Sequence, residues 1–232
     1  MFENPDYIVV GSGSAGSTIA FRLGENPSNQ VLVLEFGGSD FSPFIQMPAA
    51  LSYPMNMPKF DWGYKAEPEP ELNGRSLVCP RGKVIGGSSS INGMIYVRGN
   101  PGDYHEWARM GAKGWDYPDV LPYFQRMEQS HGGTSEFRGS DGPLHVTHGK
   151  RDNPLHEAFV SAAQQAGYER TEDYNAYRQE GFGPADMTVH NGSRFSTAKA
   201  YLKPALAKKN VKLVTRVLVD KIIFEGKKAV GV

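Results

Sequence analysis

Four β-forming residues, Tyr7-Ile8-Val9-Val10, run without a spacer into Gly11-Ser12-Gly13-Ser14-Ala15-Gly16. No other stretch constrains the fold as tightly. A short continuous apolar run suits a strand buried in a parallel sheet, and glycines in the order G-x-G-x-x-G open the helix that follows. That helix is predicted from about Ser14 to the Asn26-Pro27 break, with Ile19, Ala20 and Leu23 on one face; Val31-Leu32-Val33-Leu34-Glu35 reads as the second strand. Gly11 permits the tight strand-to-helix turn, Gly13 lets backbone N–H groups approach a pyrophosphate, and Gly16 lets the helix pack closely on the strand. The helix N-terminus offers unpaired N–H donors and a positive dipole end to phosphates. Glu35, closing the second strand, is placed to accept hydrogen bonds from a ribose diol and to disfavour a 2′-phosphate. A dinucleotide site follows, though NAD and FAD both use this arrangement.

Composition supports a folded domain. Of 232 residues, 39% are hydrophobic and 22% charged, enough for a core and too apolar for a disordered chain. Twenty-five basic residues against twenty-five acidic ones exclude a basic nucleic-acid or anionic-membrane surface. The apolar runs fall well short of the roughly 18 residues a membrane helix needs. The start, Met1 to Asp6, carries an acid where a secretory leader would be basic, and Cys79 is the sole cysteine, so no internal disulfide can form. Cytosolic residence is expected, and a peripheral membrane association would leave no such mark.

Beyond Glu35 the alternation of strand and helix stops. Pro43, Pro48, Pro54, Pro58, Pro68 and Pro70 punctuate residues 36–80 and exclude a long helix or central strand there. Phe60, Trp62 and Tyr64 anchor it as an ordered covering loop. Helices are predicted at about 102–110, 117–130, 154–166 and 196–208; Asn153 caps the third and Gly167 stops it. Strands are predicted at 211–219 and 221–224, with a turn at Glu225-Gly226-Lys227 into a last strand at 229–232.

A second glycine-rich run, Arg81-Gly82-Lys83-Val84-Ile85-Gly86-Gly87-Ser88-Ser89-Ser90, continues into Ile91-Asn92-Gly93-Met94. By composition alone it reads first as a serine-rich surface loop; the alternative is that its backbone donors approach the flavin end of an FAD. The run from Arg81 to Gly99, with Gly11 to Gly16 and Glu35, resembles the glucose-methanol-choline (GMC) family of FAD-dependent oxidoreductases. The likeness extends through Tyr96, Arg98-Gly99-Asn100, Asp103-Tyr104 and Trp107. Gln46 to Leu51, Gln179 to Gly183, Ser196 to Leu202 and Ala229 to Val232 resemble the members of that family that oxidise choline to betaine aldehyde.

The resemblance implies an α/β fold: a Rossmann-like FAD-binding domain with the beginning of an inserted α+β substrate domain. Residues 1–146 are expected to form the FAD-binding domain, 147–193 the first part of the substrate domain, and 194–232 the return to the FAD-binding domain. It further implies that Gly11, Gly13, Ser14, Ala15, Gly16 and Glu35 bind the ADP half of FAD. Arg81, Gly86, Gly87, Asn92, Gly93, Met94 and Ile95 would lie along the pyrophosphate and isoalloxazine, and the Val219 backbone would meet the adenine. Ile91 stands where some members attach the flavin through a histidine, so non-covalent FAD is expected. Phe36 replaces a common alanine and would crowd or stack near the adenosine. The substrate implied is a small-molecule alcohol, oxidised by hydride transfer to flavin N5. The family's catalytic histidine and its partner are expected beyond residue 232, so no base is named and residues 1–232 alone are expected to be inactive. Another primary alcohol, or a non-catalytic flavin-binding role, remains open at this point, as does the choice between dehydrogenase and oxidase.

Other reactive residues form no pattern in the sequence. His145 and His148 on a predicted strand point to opposite faces, and His105, His131, His156 and His190 have no partner spacing, so no metal site is expected. Cys79 reads as a small buried side chain, and Ser88 to Ser90 lack the nucleophile-elbow arrangement. Trp62, Tyr64, Tyr104 and Trp107 are read either as ordinary packing or as cover for a flavin or cation.

Overall fold

Strand β1 (Tyr7–Val10), helix α1 (Ser14–Leu23) and strand β2 (Val31–Glu35) form the parallel unit that the glycine turn requires. β2 is central: it pairs in parallel with β1, from Tyr7↔Val31 to Val10↔Leu34, and on its other side with Val211–Thr215. All five β2 residues are buried, which is why that strand is apolar throughout except for Glu35. The computed structural model describes residues 2, 4–132, 136–150 and 152–232. They divide into two units, Met1–Gly93 with Gly192–Val232, and Met94–Asn191.

In the first unit, Val9, Ala20, Val31, Val33, Ala205 and Val211 make the core beneath α1, with Phe21, Leu23, Leu206 and Leu213 against it. The helix expected over 196–208 is instead a π-wound turn, Ala198–Leu202, followed by a short α-helix, Lys203–Leu206. Pro204 has no N–H to give and its ring crowds the carbonyl four residues back, so a regular α ladder cannot pass through it. Residues 36–80 contain four single-turn helices, at Pro43–Gln46, Pro48–Ala50, Pro54–Asn56 and Pro70–Leu72. Each starts on its proline, where the missing N–H costs nothing. Ile45 and Phe60 pin this segment to Val84 and Ile91 of the second glycine-rich run. The strand expected to reach residue 219 ends at Thr215, because Arg216 turns left-handed at φ 63°. An antiparallel hairpin, Ile223–Glu225 with Lys228–Gly231, follows.

The second unit carries helices Pro101–Arg109, Tyr117–Met127 and Pro154–Gln165. Asn100 and Asn153 cap the first and third, accepting from Gly102 N (2.8 Å) and Leu155 N (2.9 Å). Its four-stranded sheet runs in the order Ile95–Tyr96, Asp186–Met187, Leu144–His148, Glu128–Ser130. The helix expected over 117–130 therefore stops at Met127, and the next three residues pair in parallel with Leu144–Val146. The cause is Glu128, fully buried between two guanidinium groups: Arg98 Nη2 donates to its Oε2 at 2.7 Å and Arg138 Nε to its Oε1 at 2.6 Å. Arg138 also meets Asp173 and Asp186, each at 2.7 Å, and Asp186 accepts from Asn175 and pairs with His148. A buried charge set persists only when its members satisfy one another in this way.

The expected division at 146/147 falls inside the strand Leu144–His148. Residues 94–146 belong with 147–191 instead, because Ile95–Tyr96 pairs with Asp186–Met187 and Arg98 N donates to Asn175 Oδ1. These pairings join segments 77 residues apart or more, which local sequence pattern cannot display.

Candidate dinucleotide-binding site

In the first unit a cleft of about 400 Å³ opens at the C-terminal ends of β1 and β2. Gly11, Gly13, Ser14, Glu35, Arg81, Gly87 and Val219 line it, so residues predicted from both glycine motifs and from the end of the chain meet at one place. Ala15 and Gly16, which do not line the cleft, complete the first turn of α1. This turn has no capping side chain and no acidic residue, and its first backbone bond is Ser17 N to Gly13 O, 2.9 Å. Its leading N–H groups are left for an acceptor supplied from outside, as a phosphate would be.

The two glycine motifs interlock. Gly86 N donates to Ser12 O at 2.8 Å, and a Cβ on Gly87 would stand 2.6 Å from Gly13 Cα. Gly87 also has φ 55°, so both backbone geometry and space exclude a side chain there. The serines beside it serve the turn. Ser88 Oγ accepts from Gly82 N, Ser89 Oγ donates to Gly86 O and accepts from Thr197 N, and Ser90 Oγ donates to Ile85 O.

Glu35 is buried and more fully used than its sequence position suggests. Oε2 accepts from Ser12 N (2.7 Å) and Ser12 Oγ (2.8 Å), and Oε1 from Gly37 N (2.7 Å). A carboxylate has about four acceptor directions, so one remains for a ligand hydroxyl. The carboxylate thus shapes the glycine turn as well as facing the cleft. Phe36 stacks on Trp62 (centroids 4.8 Å, 19° between planes), and Trp62 on Tyr64 (5.9 Å, 4°), forming an aromatic wall beside it. Val219 reaches the cleft because the chain, after its left-handed turn at Arg216, runs back along β2 with Val217 N on Glu35 O at 3.0 Å. Asp61 fixes the opposite lip by accepting from Arg81 N at 2.7 Å.

Arg194 went unnoticed in the sequence and is 1% exposed. Its Nε donates to Ile45 O (2.8 Å), and its Nη1 to Asn92 O (2.7 Å), Asn92 Oδ1 (2.8 Å) and Ser89 O (3.2 Å). It ties the end of the second motif to the covering segment. No carboxylate among the described residues pairs with it, and burial lowers its pKa to about 10. Nothing in the run His190-Asn191-Gly192-Ser193-Arg194 signals this role, since the partners, mostly main-chain carbonyls, lie roughly 100–150 residues away.

Asn92 and Gly93 close the first unit; Met94 and Ile95 open the second, where Met94 is buried at φ 64° and Ile95 is exposed. Tyr104 and Trp107 are also in the second unit. They pack edge to face (5.3 Å) and, with Trp115, Tyr123 and Phe124, line a separate apolar groove, whereas Trp62 lines the cleft of the first with Tyr64 stacked on it. Cys79, expected to be buried, is half-buried.

A parallel strand-helix-strand, a glycine turn at an uncapped helix end and an acid closing the second strand together define a dinucleotide-binding α/β protein. Residues 5–232 match the GMC oxidoreductase family, whose members are FAD-dependent. The chain belongs to that family. It is 61% identical over 227 residues to an oxygen-dependent choline dehydrogenase of Brucella anthropi, and 60% identical to one of Sinorhizobium fredii, covering 98% of this chain in each case. The chain spans 41% of the length of those relatives. Among solved structures it is similar to pyridoxine 4-oxidase from Mesorbium loti, with a TM-score of 0.92 and 34% identity over 97% of this chain and 45% of that one. An FAD-dependent oxidoreductase from Chaetomium thermophilum aligns with a TM-score of 0.88 and 30% identity, over 97% of this chain and 41% of that one.

Proposed function

We propose that this chain holds FAD non-covalently as part of an enzyme that oxidises choline to betaine aldehyde. The observation carrying the substrate is the 61% identity, over nearly the whole chain, to relatives named for choline. FAD would supply the hydride acceptor, flavin N5. The chain's own residues would seat it: the pyrophosphate over Gly11, Gly13, Ser14, Ala15 and Gly16, and the ribose at the free acceptor direction of Glu35. The adenine would lie between the Phe36–Trp62 stack and the Val219 backbone. Arg81, Gly86, Gly87, Asn92, Gly93, Met94 and Ile95 would follow the rest of the cofactor, and Met94–Asn191 would form part of the substrate side. Ile91, the position at which a covalent link would be made, is 2% exposed, packed among Ile45, Phe60 and Val84, and has no nucleophilic atom. A cytosolic location completes this reading, and the name of the relatives, oxygen-dependent choline dehydrogenase, makes dioxygen the first electron acceptor to try.

The test compares residues 1–232 with the product of the intact gene. Residues 1–232 should take up FAD with a flavin spectrum and leave choline unchanged. The gene product should be bleached anaerobically by choline in preference to pyridoxine or an aryl alcohol. Failure to bind FAD would overturn the cofactor assignment, and bleaching by another alcohol but not by choline would overturn the substrate.

A further inference from the structure

The second unit brings together three histidines that are far apart in sequence. His131 Nε2 and His145 Nδ1 are 2.8 Å apart, and the His145 and His190 rings stack with centroids at 3.9 Å. His131 stands 5.1 Å from His145 and 5.3 Å from His190, centroid to centroid. One donor nitrogen from each ring lies within 4.8 Å of the other two. The isolated histidines expected from sequence are thus a cluster.

The backbone holds the cluster in place. Glu128–Ser130 pairs in parallel with Leu144–Val146, setting Gln129 opposite His145, and His131 N donates to Val146 O at 2.9 Å. Thr147 Oγ1 donates to Val189 O at 2.9 Å, fixing the residue before His190 along the same strand. Three neighbouring backbone segments therefore each contribute one imidazole. His131 is exposed and the other two are half-buried, so water and ions reach the rings.

We infer that His131, His145 and His190 form a binding site for a borderline divalent transition-metal ion such as Zn²⁺ or Co²⁺. Imidazole nitrogen prefers such ions to Mg²⁺ or Ca²⁺, which take oxygen ligands. Bonds of about 2.0–2.1 Å in tetrahedral geometry set donor nitrogens roughly 3.3 Å apart. The donor nitrogens lie within 4.8 Å of one another, with one pair at 2.8 Å, so the spacing needed brackets what is observed. Only one proton can lie between His131 Nε2 and His145 Nδ1. Metal binding requires both lone pairs, so that proton moves to the outer nitrogen of its own ring. Three protein ligands leave a fourth position for water.

The test uses the tag-free chain, stripped with chelator and titrated with Zn²⁺ by calorimetry and with Co²⁺ by visible absorption. One ion per chain should bind, with Co²⁺ giving the intense bands of four-coordinate geometry. His131→Gln and His190→Gln should each weaken binding by about 100-fold or more, beyond the roughly 10–100-fold that loss of an outer-shell partner costs. His156→Gln, on the helix Pro154–Gln165, should leave it unchanged. Circular dichroism checks that each variant folds; should His190→Gln not fold, the exposed His131 decides the matter alone. Absence of saturable binding at one ion per chain, or parent-like affinity in His131→Gln, would overturn the inference.

Discussion

Replacing Gly16 by alanine should destabilise the first unit whether or not a cofactor is present. The new Cβ would lie 1.9 Å from Gly11 O, 3.1 Å from Gly11 C and 3.2 Å from Val9 Cγ1. A carbon and a carbonyl oxygen in contact need about 3.3 Å, so backbone must shift by more than 1 Å. Gly11 cannot retreat easily, because its N–H is held by Leu34 O at 2.7 Å and the next residue by the Glu35 carboxylate. Overpacking of this kind costs about 1–3 kcal/mol, while Gly→Ala inside a helix returns up to about 1 kcal/mol. Because backbone rather than a side-chain tip must move, the cost lies at the middle of that range or above, about 2 kcal/mol, and the net loss is about 1–2 kcal/mol, or a fall in Tm of roughly 2–8 °C for a chain of this size. Gly13→Ala provides the contrast. Its Cβ meets only Gly87 Cα, at an ordinary 3.8 Å. It should cost only the weaker capping preference of alanine, roughly 0.5 kcal/mol. In the presence of FAD the order should reverse for binding: on the proposed seating of the pyrophosphate over the glycine turn, the Gly13 methyl would stand in its approach, so flavin retention should fall most in Gly13→Ala. Thermal unfolding of the apo chain and flavin fluorescence quenching on titration read the two effects separately. A Gly16→Ala protein with the parent's Tm would refute the packing argument, and full flavin uptake by Gly13→Ala would refute the placement of the phosphates.

Glu128→Ala leaves Arg98 buried without its carboxylate partner, Arg138 keeping Asp173 and Asp186, and should cost about 3–5 kcal/mol in urea unfolding of the second unit; a loss below about 1 kcal/mol would show the Arg98–Glu128 pair to be dispensable. Arg194→Lys cannot reproduce the guanidinium fork that reaches Ile45, Ser89 and Asn92, so it should lower both Tm and flavin affinity, and parent-like values for both would count against its positioning role. Heat or acid precipitation should leave all flavin in the supernatant, since Ile91 cannot form a covalent bond; flavin pelleting with the denatured chain would contradict this. The hydrogen bond from His105 holds the Asp116 carboxyl below its ordinary 3.8, so the folded state favours the charged form. That contribution is complete above the unfolded value and is lost as pH falls through the folded one. Asp116→Asn, which keeps an acceptor for Tyr117 N, should show a flatter stability profile below pH 3.8, and parallel profiles would argue against the pair.

The local signals were legible because each acts over a few residues. The β1-α1-β2 unit follows from an apolar run, a glycine turn and an acid; the cap at Asn153 follows from side-chain chemistry next to the helix it starts. The prolines of residues 36–80 excluded long elements, and in the structure they begin four short ones. Where local reading failed, a distant partner had decided. Helical periodicity over 117–130 cannot show that Glu128 will be drawn into a strand by Arg98 and Arg138. The covalent sequence likewise does not show that Pro204 will widen the turn ahead of it.

Sequence alone determined that a dinucleotide-binding turn exists, where its glycines lie and which family the chain resembles, because backbone conformation and helix start are encoded by adjacent residues. Tertiary structure decided the rest. It brought Val219 to Glu35, packed Gly87 on Gly13, placed Arg194 beneath Asn92 and gathered His131, His145 and His190 into one cluster. Each of these depends on strand pairing or close packing between segments dozens to nearly two hundred residues apart, and such contacts become definite only when the chain has folded.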